Sequence, residues 1–390
     1  MSHIPPVSVH RSRLTSATWL LTSQAYPFIL AVVVIILCVE LLRAIFFGSI
    51  DFLYFEFLAD YNLGFLKRAL VPHLVSLVWP QVSQAHMRFV FAVVILLAMT
   101  TYLAAFFRDF GRTRASLPVL VFVFGSPFFF KNYIYDFGRL DVFGCIGATL
   151  ALLAPVGGLY LPVLFIFSSA LILVHEVQAA TYVPLIVMIG LLRSHGERKL
   201  PWTATALAVP FGLTVPLTLF LVIQFGNARV PEPVLLEHFR ARALDASMEH
   251  AWLWYATIEQ QAIGAWDPRY LWGQFISLPK YVYLAVIHWP LAFYLKKLVS
   301  GMEDRRARFG VITGLSVISL LYVMMLCISW DRARFFANWG TSLLLATHAI
   351  AQRGHAAKSD TDIFQSRAAV ASAWLVALTP FVGMIIPFSF

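Results

Sequence analysis

Three carboxylates follow the first long apolar stretch of the chain, and two of them have a spacing that suits acid–base chemistry. Asp51, Glu56 and Asp60 occur close together at this point. Glu56 and Asp60 are four residues apart, so a helix would place them on one face. Such carboxylates could deprotonate an acceptor hydroxyl or hold a divalent cation. The alternative is a solvated acidic loop.

The same segment ends in two adjacent cations, Lys67 and Arg68. Both side chains could bind a lipid phosphate, because charge-assisted hydrogen bonds to phosphate are strong. The alternative is a basic anchor in the lipid headgroups.

A second polar set lies at the start of an apolar stretch, in the sequence Tyr135-Asp-Phe-Gly-Arg-Leu-Asp141. Arg139 carries a planar, permanently charged fork that suits a pyrophosphate, and Asp141 could fix its rotamer or act as the catalytic base. The alternative is structural: an ion pair between helices, either Arg139 with Asp331 or Arg332 with Asp141.

A third set, His175-Glu176, interrupts an apolar run that extends from Leu159 to Leu192. His175 could be a general base or donate to a phosphate, with Glu176 orienting it. A hydrogen-bonded histidine at a helix end is the alternative. Metal ligation would require further ligands, which Asp51, Glu56 or Asp141 could supply.

A fourth set occurs in Trp330-Asp-Arg-Ala-Arg334 and repeats the combination of an acid with arginines. Asp331 and Arg332 are predicted to contribute to phosphate binding, with Arg332 as an anion clamp. Arg334 is either a second clamp or an anchor at the membrane interface.

The composition shows what kind of element must position these sets. The chain is 60% hydrophobic and 13% charged, and its mean hydropathy is +0.77. These values exclude an ordinary soluble enzyme.

The net charge of +9 is spread over short groups of Lys and Arg residues, which argues against a nucleic-acid partner. Three scattered cysteines indicate no zinc site or disulfide framework. No nucleotide-binding glycine loop or HExxH motif occurs.

Hydropathy predicts an all-α polytopic bundle of about eleven spans. Residues 1–25 are expected to be a cytoplasmic segment, and residues 26–390 a single integral membrane domain. The predicted spans are 26–47, 86–107, 116–131, 141–155, 159–174, 177–193, 202–224, 272–295, 309–329, 335–352 and 369–388.

Loop charge predicts the orientation of this bundle. With a cytoplasmic N-terminus, the short inner loops contain sixteen Lys and Arg residues and the longer outer segments contain eleven. This density agrees with the excess of basic residues in cytoplasmic loops. All four polar sets then lie at outer ends of spans. Ionisable groups at membrane depth are costly, so their collection at one face points to function.

Two outer segments are long, 48–85 and 225–271, and each is expected to contain short interfacial helices. The second carries acids, arginines and several tryptophans, which suits stacking against sugar rings. An amphipathic helix from Pro233 to Gln261 on the membrane surface is the alternative. In the first span, Glu40 and Arg43 are expected to pair with each other.

Four segments together resemble polytopic enzymes of bacterial surface-polysaccharide assembly. They are Asn62-Leu-Gly-Phe-Leu-Lys-Arg68, Gly138-Arg-Leu-Asp141, His175-Glu176 and Asp331-Arg-Ala-Arg334. An acidic outer loop after the first span resembles that of GT-C glycosyltransferases, and the four segments resemble parts of Wzy-type polysaccharide polymerases. The chain lacks the Asp-x-Asp or Glu-x-Asp pair of the GT-C pattern.

The resemblance implies an inverting sugar transfer at the periplasmic face of the bacterial inner membrane. It implies a polyprenyl-phosphate or polyprenyl-diphosphate sugar donor, a glycan or lipid acceptor and contacts with membrane lipids. Asp51, Glu56 or Asp60 would be the base, and the phosphate would leave against Arg139 and Arg332. A transporter or flippase of lipid-linked or anionic solutes is an alternative, as is a membrane acyltransferase with His175 as the catalytic histidine.

Overall fold

The computed structural model describes residues 14–48, 50–113, 115–197, 202–245, 249, 251–257, 259–260, 263, 266–329, 331–353 and 362–381. The fold is all-helical, with 77% helix and no strand in the described part. An isolated bridge between Val82 and Ala243 joins the segments 48–85 and 225–271.

Seventeen α-helices are described in these ranges. They are α1 (Leu14–Phe47), α2 (Asp51–Glu56), α3 (Leu70–Ser76), α4 (Gln84–Phe110), α5 (Leu117–Phe124), α6 (Phe130–Tyr135), α7 (Asp141–Leu153), α8 (Tyr160–Val174), α9 (Tyr182–Glu197), α10 (Trp202–Phe225), α11 (Glu232–Arg242), α12 (Trp252–Tyr255), α13 (Pro268–Ile287), α14 (Trp289–Ser300), α15 (Arg305–Ile328), α16 (Arg332–Arg353) and α17 (Arg367–Leu378). Two short 3₁₀ helices, Glu176–Ala179 and Asp362–Gln365, precede α9 and α17.

Five helical segments of the described chain are long and apolar enough to cross a membrane: Gln24–Phe47, Gln84–Phe110, Glu176–Ser194, Ala208–Phe225 and Arg305–Ile328. The pair Ser277–Ile287 and Trp289–Ser300, bent by 57°, makes a sixth if it is one span. Five of the eleven predicted spans therefore coincide with candidate spans, or six if the bent pair is counted as one span.

The other five predicted spans are not confirmed as spans. The segments 141–155, 159–174 and 369–388 contain helices of 13, 15 and 12 residues, and residues 382–388 of the last segment lie outside the described chain. The segment 116–131 breaks between α5 and α6, at Gly125 to Phe129. The segment 335–352 is helical but carries a buried polar face that includes Asn338, Thr341 and His348.

The core lies around α7 and α9, which pack against each other and against α4, α8 and α16. Gly144 allows the close approach of α7 and α9, because a Cβ atom at this position would overlap Gln178 and Tyr182. This packing brings the first turn of α7 next to the chain reversal between α8 and α9. The residues of the second and third polar sets thereby become neighbours.

The segments 48–85 and 225–271 fold onto each other through short helices. The predicted amphipathic helix from Pro233 to Gln261 is wrong as one helix, since α11 ends at Arg242 and α12 is a separate turn. Tyr54 links the two segments through its hydroxyl group. The hydroxyl donates a hydrogen bond to the carbonyl of Val82 at 2.5 Å and accepts one from the backbone N–H of Leu244 at 3.1 Å.

The predicted ion pair between Glu40 and Arg43 in α1 is confirmed, with Nε of Arg43 and Oε2 of Glu40 2.7 Å apart.

Candidate functional site

A cavity of about 430 Å³ collects members of all four polar sets at one end of the helices. Its charged lining residues are Glu56, Arg68, Arg139, His175, Glu176, Asp331 and Arg334. They come from the end of α2, the loop before α3, the turn before α7, the reversal after α8 and the start of α16. The sequence predicts that these sets lie at a common depth in the membrane. The packing of the helices brings their members within reach of one ligand.

Arg68 links the first polar set to the third. Its Nε and Nη2 donate to both carboxylate oxygens of Glu176, over distances of 3.0, 3.1 and 2.6 Å. Its Nη1 lies 3.8 Å from Oε1 of Glu56, which is too long for a direct hydrogen bond. Glu176 is therefore held on both oxygens, whereas Glu56 is paired only loosely with the same guanidinium.

The backbone of Arg68 is strained. Its φ of 64° lies in the left-handed region, where a non-glycine residue is uncommon. Strain of this kind costs on the order of 1–3 kcal/mol and persists where the surrounding contacts enforce it. Here the backbone N–H of the preceding Lys67 donates to the carbonyl of Gly226 at 2.7 Å, and the Glu176 pair holds the side chain.

Arg334 joins the second, third and fourth sets. Its Nε donates to Oδ2 of Asp141, and its Nη2 donates to Oδ1 of Asp141 at 3.2 Å and to Nε2 of His175 at 3.1 Å. The side chain is only 8% exposed. A bidentate Arg–carboxylate pair with a third contact fixes the guanidinium plane, so Arg334 is oriented before any ligand arrives.

His175 is contacted at both ring nitrogens. A guanidinium can only donate, so Nε2 of His175 accepts from Arg334. Nδ1 accepts from the backbone N–H of Val177 at 3.3 Å and lies 3.4 Å from Oε2 of Glu176. His175 therefore connects the cluster around Arg334 with the cluster around Arg68.

Arg139 and Asp331 form the exposed edge of the charged wall. Nη2 of Arg139 lies 3.3 Å from Oδ2 of Asp331, and Nη1 of Arg334 lies 3.7 Å from the same oxygen. The Asp331 side chain is 38% exposed. Of the two structural ion pairs considered from the sequence, Arg139 with Asp331 is present, whereas Asp141 pairs with Arg334 instead of Arg332.

Asp136 and Asn338 support this wall and were not among the predicted site residues. Burial raises the pKa of Asp136 to about 6, with Arg139 opposing the shift and Asp331 adding to it. Asn338 lies within hydrogen-bonding range of Asp141. Its position four residues after Arg334, on the same helical face, was the available sequence signal.

Asp60 does not line the cavity. Asp60 is 1% exposed and lies 3.2 Å from Nη1 of Arg242 and 3.0 Å from Nε2 of His238, so it holds the segments 48–85 and 225–271 together. Because α2 ends at Glu56, the expected helical pairing of Glu56 with Asp60 does not form. The side chain of the remaining acid, Asp51, lies outside the described side chains.

Lys67 and Arg332 make structural contacts instead of lining the cavity. Nζ of Lys67 donates to Oδ1 of Asn227 at 2.8 Å and to the carbonyl of Ala256 at 2.9 Å. Burial lowers the pKa of Lys67 to about 8, although Glu176 opposes the shift. Nε of Arg332 donates to the carbonyl of Leu326 at 2.7 Å, at the C-terminal end of α15. The geometry thus favours Arg334 over Arg332 as a ligand-facing cation.

An apolar wall faces the charged one. It consists of Leu219 and Ile223 from α10 and of Met325 and Ile328 from α15, with Trp252 at the rim. Both helices contain candidate membrane spans, of which only 11% and 17% of the residues are buried inside the protein. The cavity therefore suits an amphiphile, with a charged or polyhydroxyl group on one side and hydrocarbon on the other.

The expected divalent cation finds no ready-made site in the described part of the chain, where no group of three or more His, Cys, Asp and Glu side chains could hold a metal ion. The carboxylates of the cavity are instead distributed among the three arginines. No protein-family model, curated protein or solved structure matches the chain.

Proposed function

We propose that the protein is a membrane-embedded glycosyltransferase or polysaccharide polymerase that uses a polyprenyl-phosphate or polyprenyl-diphosphate sugar. The observation that carries the proposal is the two-sided cavity, in which three arginines and three carboxylates face two lipid-exposed helices. The charged wall suits the acceptor hydroxyl and the sugar with its phosphate. The apolar wall suits the start of the prenyl chain.

Glu56 is the proposed general base. Glu176 accepts three contacts from Arg68, which stabilise its ionised form and weaken it as a base, and Asp60 is enclosed by Arg242 and His238. Glu56 lines the cavity with only the 3.8 Å contact to Arg68. In the proposed step Glu56 takes the acceptor proton, the acceptor oxygen bonds to the sugar C1, and the bond from C1 to the phosphate oxygen breaks.

Arg334 and Arg139 are proposed to receive the leaving phosphate. Both reach Asp331, whose contacts of 3.3 and 3.7 Å are longer than the Arg334–Asp141 pair and whose side chain is exposed. A phosphate could therefore replace Asp331 as their partner while Asp141 keeps Arg334 in place. Fixed donors in a partly dry site stabilise developing negative charge more strongly than water does.

The proposal places the reaction at the outer face of the bacterial inner membrane, with a cytoplasmic N-terminus and a GT-C-like arrangement. The excess of basic residues in the loops opposite the cavity supports this orientation. The short apolar helices α7, α8 and α17, together with the segments 116–131 and 335–352, are proposed to complete a bundle of about eleven membrane segments.

The test uses the purified full-length protein in nanodiscs, supplied with a polyprenyl-diphosphate-linked sugar and a glycan acceptor. The expected result is an elongated glycan and free polyprenyl diphosphate, detected by mass spectrometry. His175→Ala should retain part of this transfer. Movement of the intact donor across proteoliposomes without a new product would instead establish a flippase. Product formation from an acyl donor that requires His175 would establish an acyltransferase.

A further inference from the structure

A second, apolar groove of about 260 Å³ lies between α14 and α16, away from the charged cavity. Its lining residues are Phe128, Ala285, His288, Leu291, Ala292, Leu295, Phe336, Trp339, Gly340, Leu343, Leu344 and Thr347. Along α16 the lining extends over eleven residue steps, or roughly 16 Å at about 1.5 Å per residue. The groove is therefore long enough to hold an extended hydrocarbon chain.

The polar atoms along the groove are already bonded within the protein. Nδ1 of His288 donates to the carbonyl of Leu284 at 2.7 Å, which leaves Nε2 to accept from the Ser126 hydroxyl at 3.0 Å. The Thr347 hydroxyl donates to the carbonyl of Leu343 at 2.7 Å. A polar ligand would lose its own hydrogen bonds to water without replacement here, so the groove selects an apolar chain.

The groove and the charged cavity use opposite faces of α16. At about 100° per residue, Asp331, Arg334 and Phe335 cluster on one side of the helix. Gly340, Leu343 and Leu344 lie on the other side. A chain in the groove therefore belongs to a molecule other than the one held by the charged cavity.

A cation continues the groove at one end. Lys296 follows Ala292 by four residues on the same face of α14, and both side chains are exposed. The ligand that matches an apolar groove ending at a lysine is a lipid with a negatively charged headgroup. We propose that the groove binds one acyl chain of an anionic phospholipid, whose phosphate pairs with Lys296.

The test is native mass spectrometry of the full-length protein with added phosphatidylglycerol or phosphatidylcholine. We expect phosphatidylglycerol to bind more tightly, and Lys296→Glu to weaken it about fivefold or more, since one lysine near a lipid phosphate contributes about 1 kcal/mol. Lys297→Glu is the matched control, because Lys297 lies about 100° further around the helix. Ala292→Phe should block the groove and reduce binding of both lipids.

Three results would overturn the proposal. Equal losses with Lys296→Glu and Lys297→Glu would mean that the phosphate does not lie at Lys296. Unchanged binding in Ala292→Phe would mean that the chain lies elsewhere. Displacement of phosphatidylglycerol by polyprenyl phosphate, with the same dependence on Lys296, would assign the groove to a prenyl lipid. The side chains of Ala292, Lys296 and Lys297 are all exposed, and an unchanged melting temperature in detergent confirms folding of each variant.

Discussion

At the scale of single residues, the main difference among the acids is how each is bonded. Glu176 and Asp141 are each held by an arginine on both oxygens, and Asp60 accepts from three side chains. Glu56 and Asp331 keep only longer contacts with cations. The groups that can change partner during a reaction are therefore Glu56 and Asp331, and the others maintain the shape of the site.

Glu56→Gln is expected to lower the transfer rate by about 10²–10⁴-fold, the range that a positioned general base contributes. The amide keeps the size of the side chain but cannot take the acceptor proton. The rate is measured as product formed by protein in nanodiscs, together with binding of the donor, which should change little.

Asp60→Asn is the matched control for Glu56→Gln. It should leave the transfer step nearly unchanged in the folded fraction but destabilise the protein by about 3–5 kcal/mol, because Arg242 loses its buried carboxylate. A full rate in Glu56→Gln, or an equal loss of rate in Asp60→Asn, would contradict the assignment of the base.

Arg334→Lys and Arg332→Lys are expected to differ sharply. Lysine keeps the charge but not the fork that binds Asp141 and His175 together, so Arg334→Lys should reduce transfer by at least tenfold. Arg332→Lys should reduce it less than about threefold, since Arg332 binds the end of α15. The two variants are compared by rates at saturating donor. A larger loss in Arg332→Lys would restore Arg332 as the anion clamp.

The raised pKa of Asp136 predicts that the stability of the protein depends on pH. Its folded-state pKa of about 6 is above the ordinary value of 3.8 for an aspartate, so the folded state binds this proton more tightly than the unfolded state. The resulting stabilisation is fully present below about pH 4 and is lost as the pH rises through about 6. As the pH rises through these values, Asp136→Asn should therefore gain stability relative to the unsubstituted protein, by about 3 kcal/mol in all.

The measurement for Asp136→Asn is thermal unfolding in detergent from pH 4 to pH 8. The difference between the two proteins should grow up to about pH 7 and then stay constant. Parallel curves over the whole range would show that Asp136 does not carry the shifted pKa.

At the scale of elements, the site depends on helices that end or break where the polar residues lie. α2 ends at Glu56, α8 ends before His175, α7 begins at Asp141 and α16 begins at Arg332. Helix ends leave backbone donors and acceptors that charged side chains can bond, so they are natural positions for such residues. Close packing between α7 and α9 then fixes the relative positions of Asp141 and His175.

Gly144→Ala tests this element-scale dependence. The added methyl group overlaps Gln178 and Tyr182, so it should destabilise the protein by about 1–3 kcal/mol and displace the first turn of α7, where Asp141 begins the helix. Transfer should fall even though Gly144 does not line the cavity. Thermal unfolding and the transfer rate are measured on the same preparation.

Gly157→Ala is the control for Gly144→Ala. Gly157 lies in the turn between α7 and α8, and a Cβ atom there would meet nothing within 4 Å. It should leave both stability and rate nearly unchanged. Similar effects of the two substitutions would show that the contact between α7 and α9 does not position the site.

At the scale of the whole molecule, the proposed orientation makes a labelling prediction. With the exposed Cys38 and Cys327 replaced by serine, Glu237→Cys on α11 should react with a membrane-impermeant maleimide in intact spheroplasts. Arg306→Cys at the start of α15 should react only after permeabilisation. These sites are expected on opposite sides because basic loops favour the cytoplasm. The reverse labelling pattern would place the cavity at the cytoplasmic face.

The sequence by itself determined the features that depend on local or summed properties. Apolar length and composition predict a helical protein with membrane-spanning segments, because unbonded backbone groups are not tolerated in hydrocarbon. The Glu40–Arg43 pair was predictable because three residues along a helix bring side chains together. The polar interruptions were also visible in the sequence, as breaks in the hydropathy pattern.

Only the tertiary structure decided which polar residues meet and which partners they take. Arg334 bonds Asp141 and His175, which precede it by 193 and 159 residues. Arg68 bonds Glu176 across 108 residues. Such pairs depend on how helices pack and where they end, and the end of α2 at Glu56 separates two acids that helical spacing would have joined. Local periodicity cannot encode that choice, because it arises from contacts between distant segments.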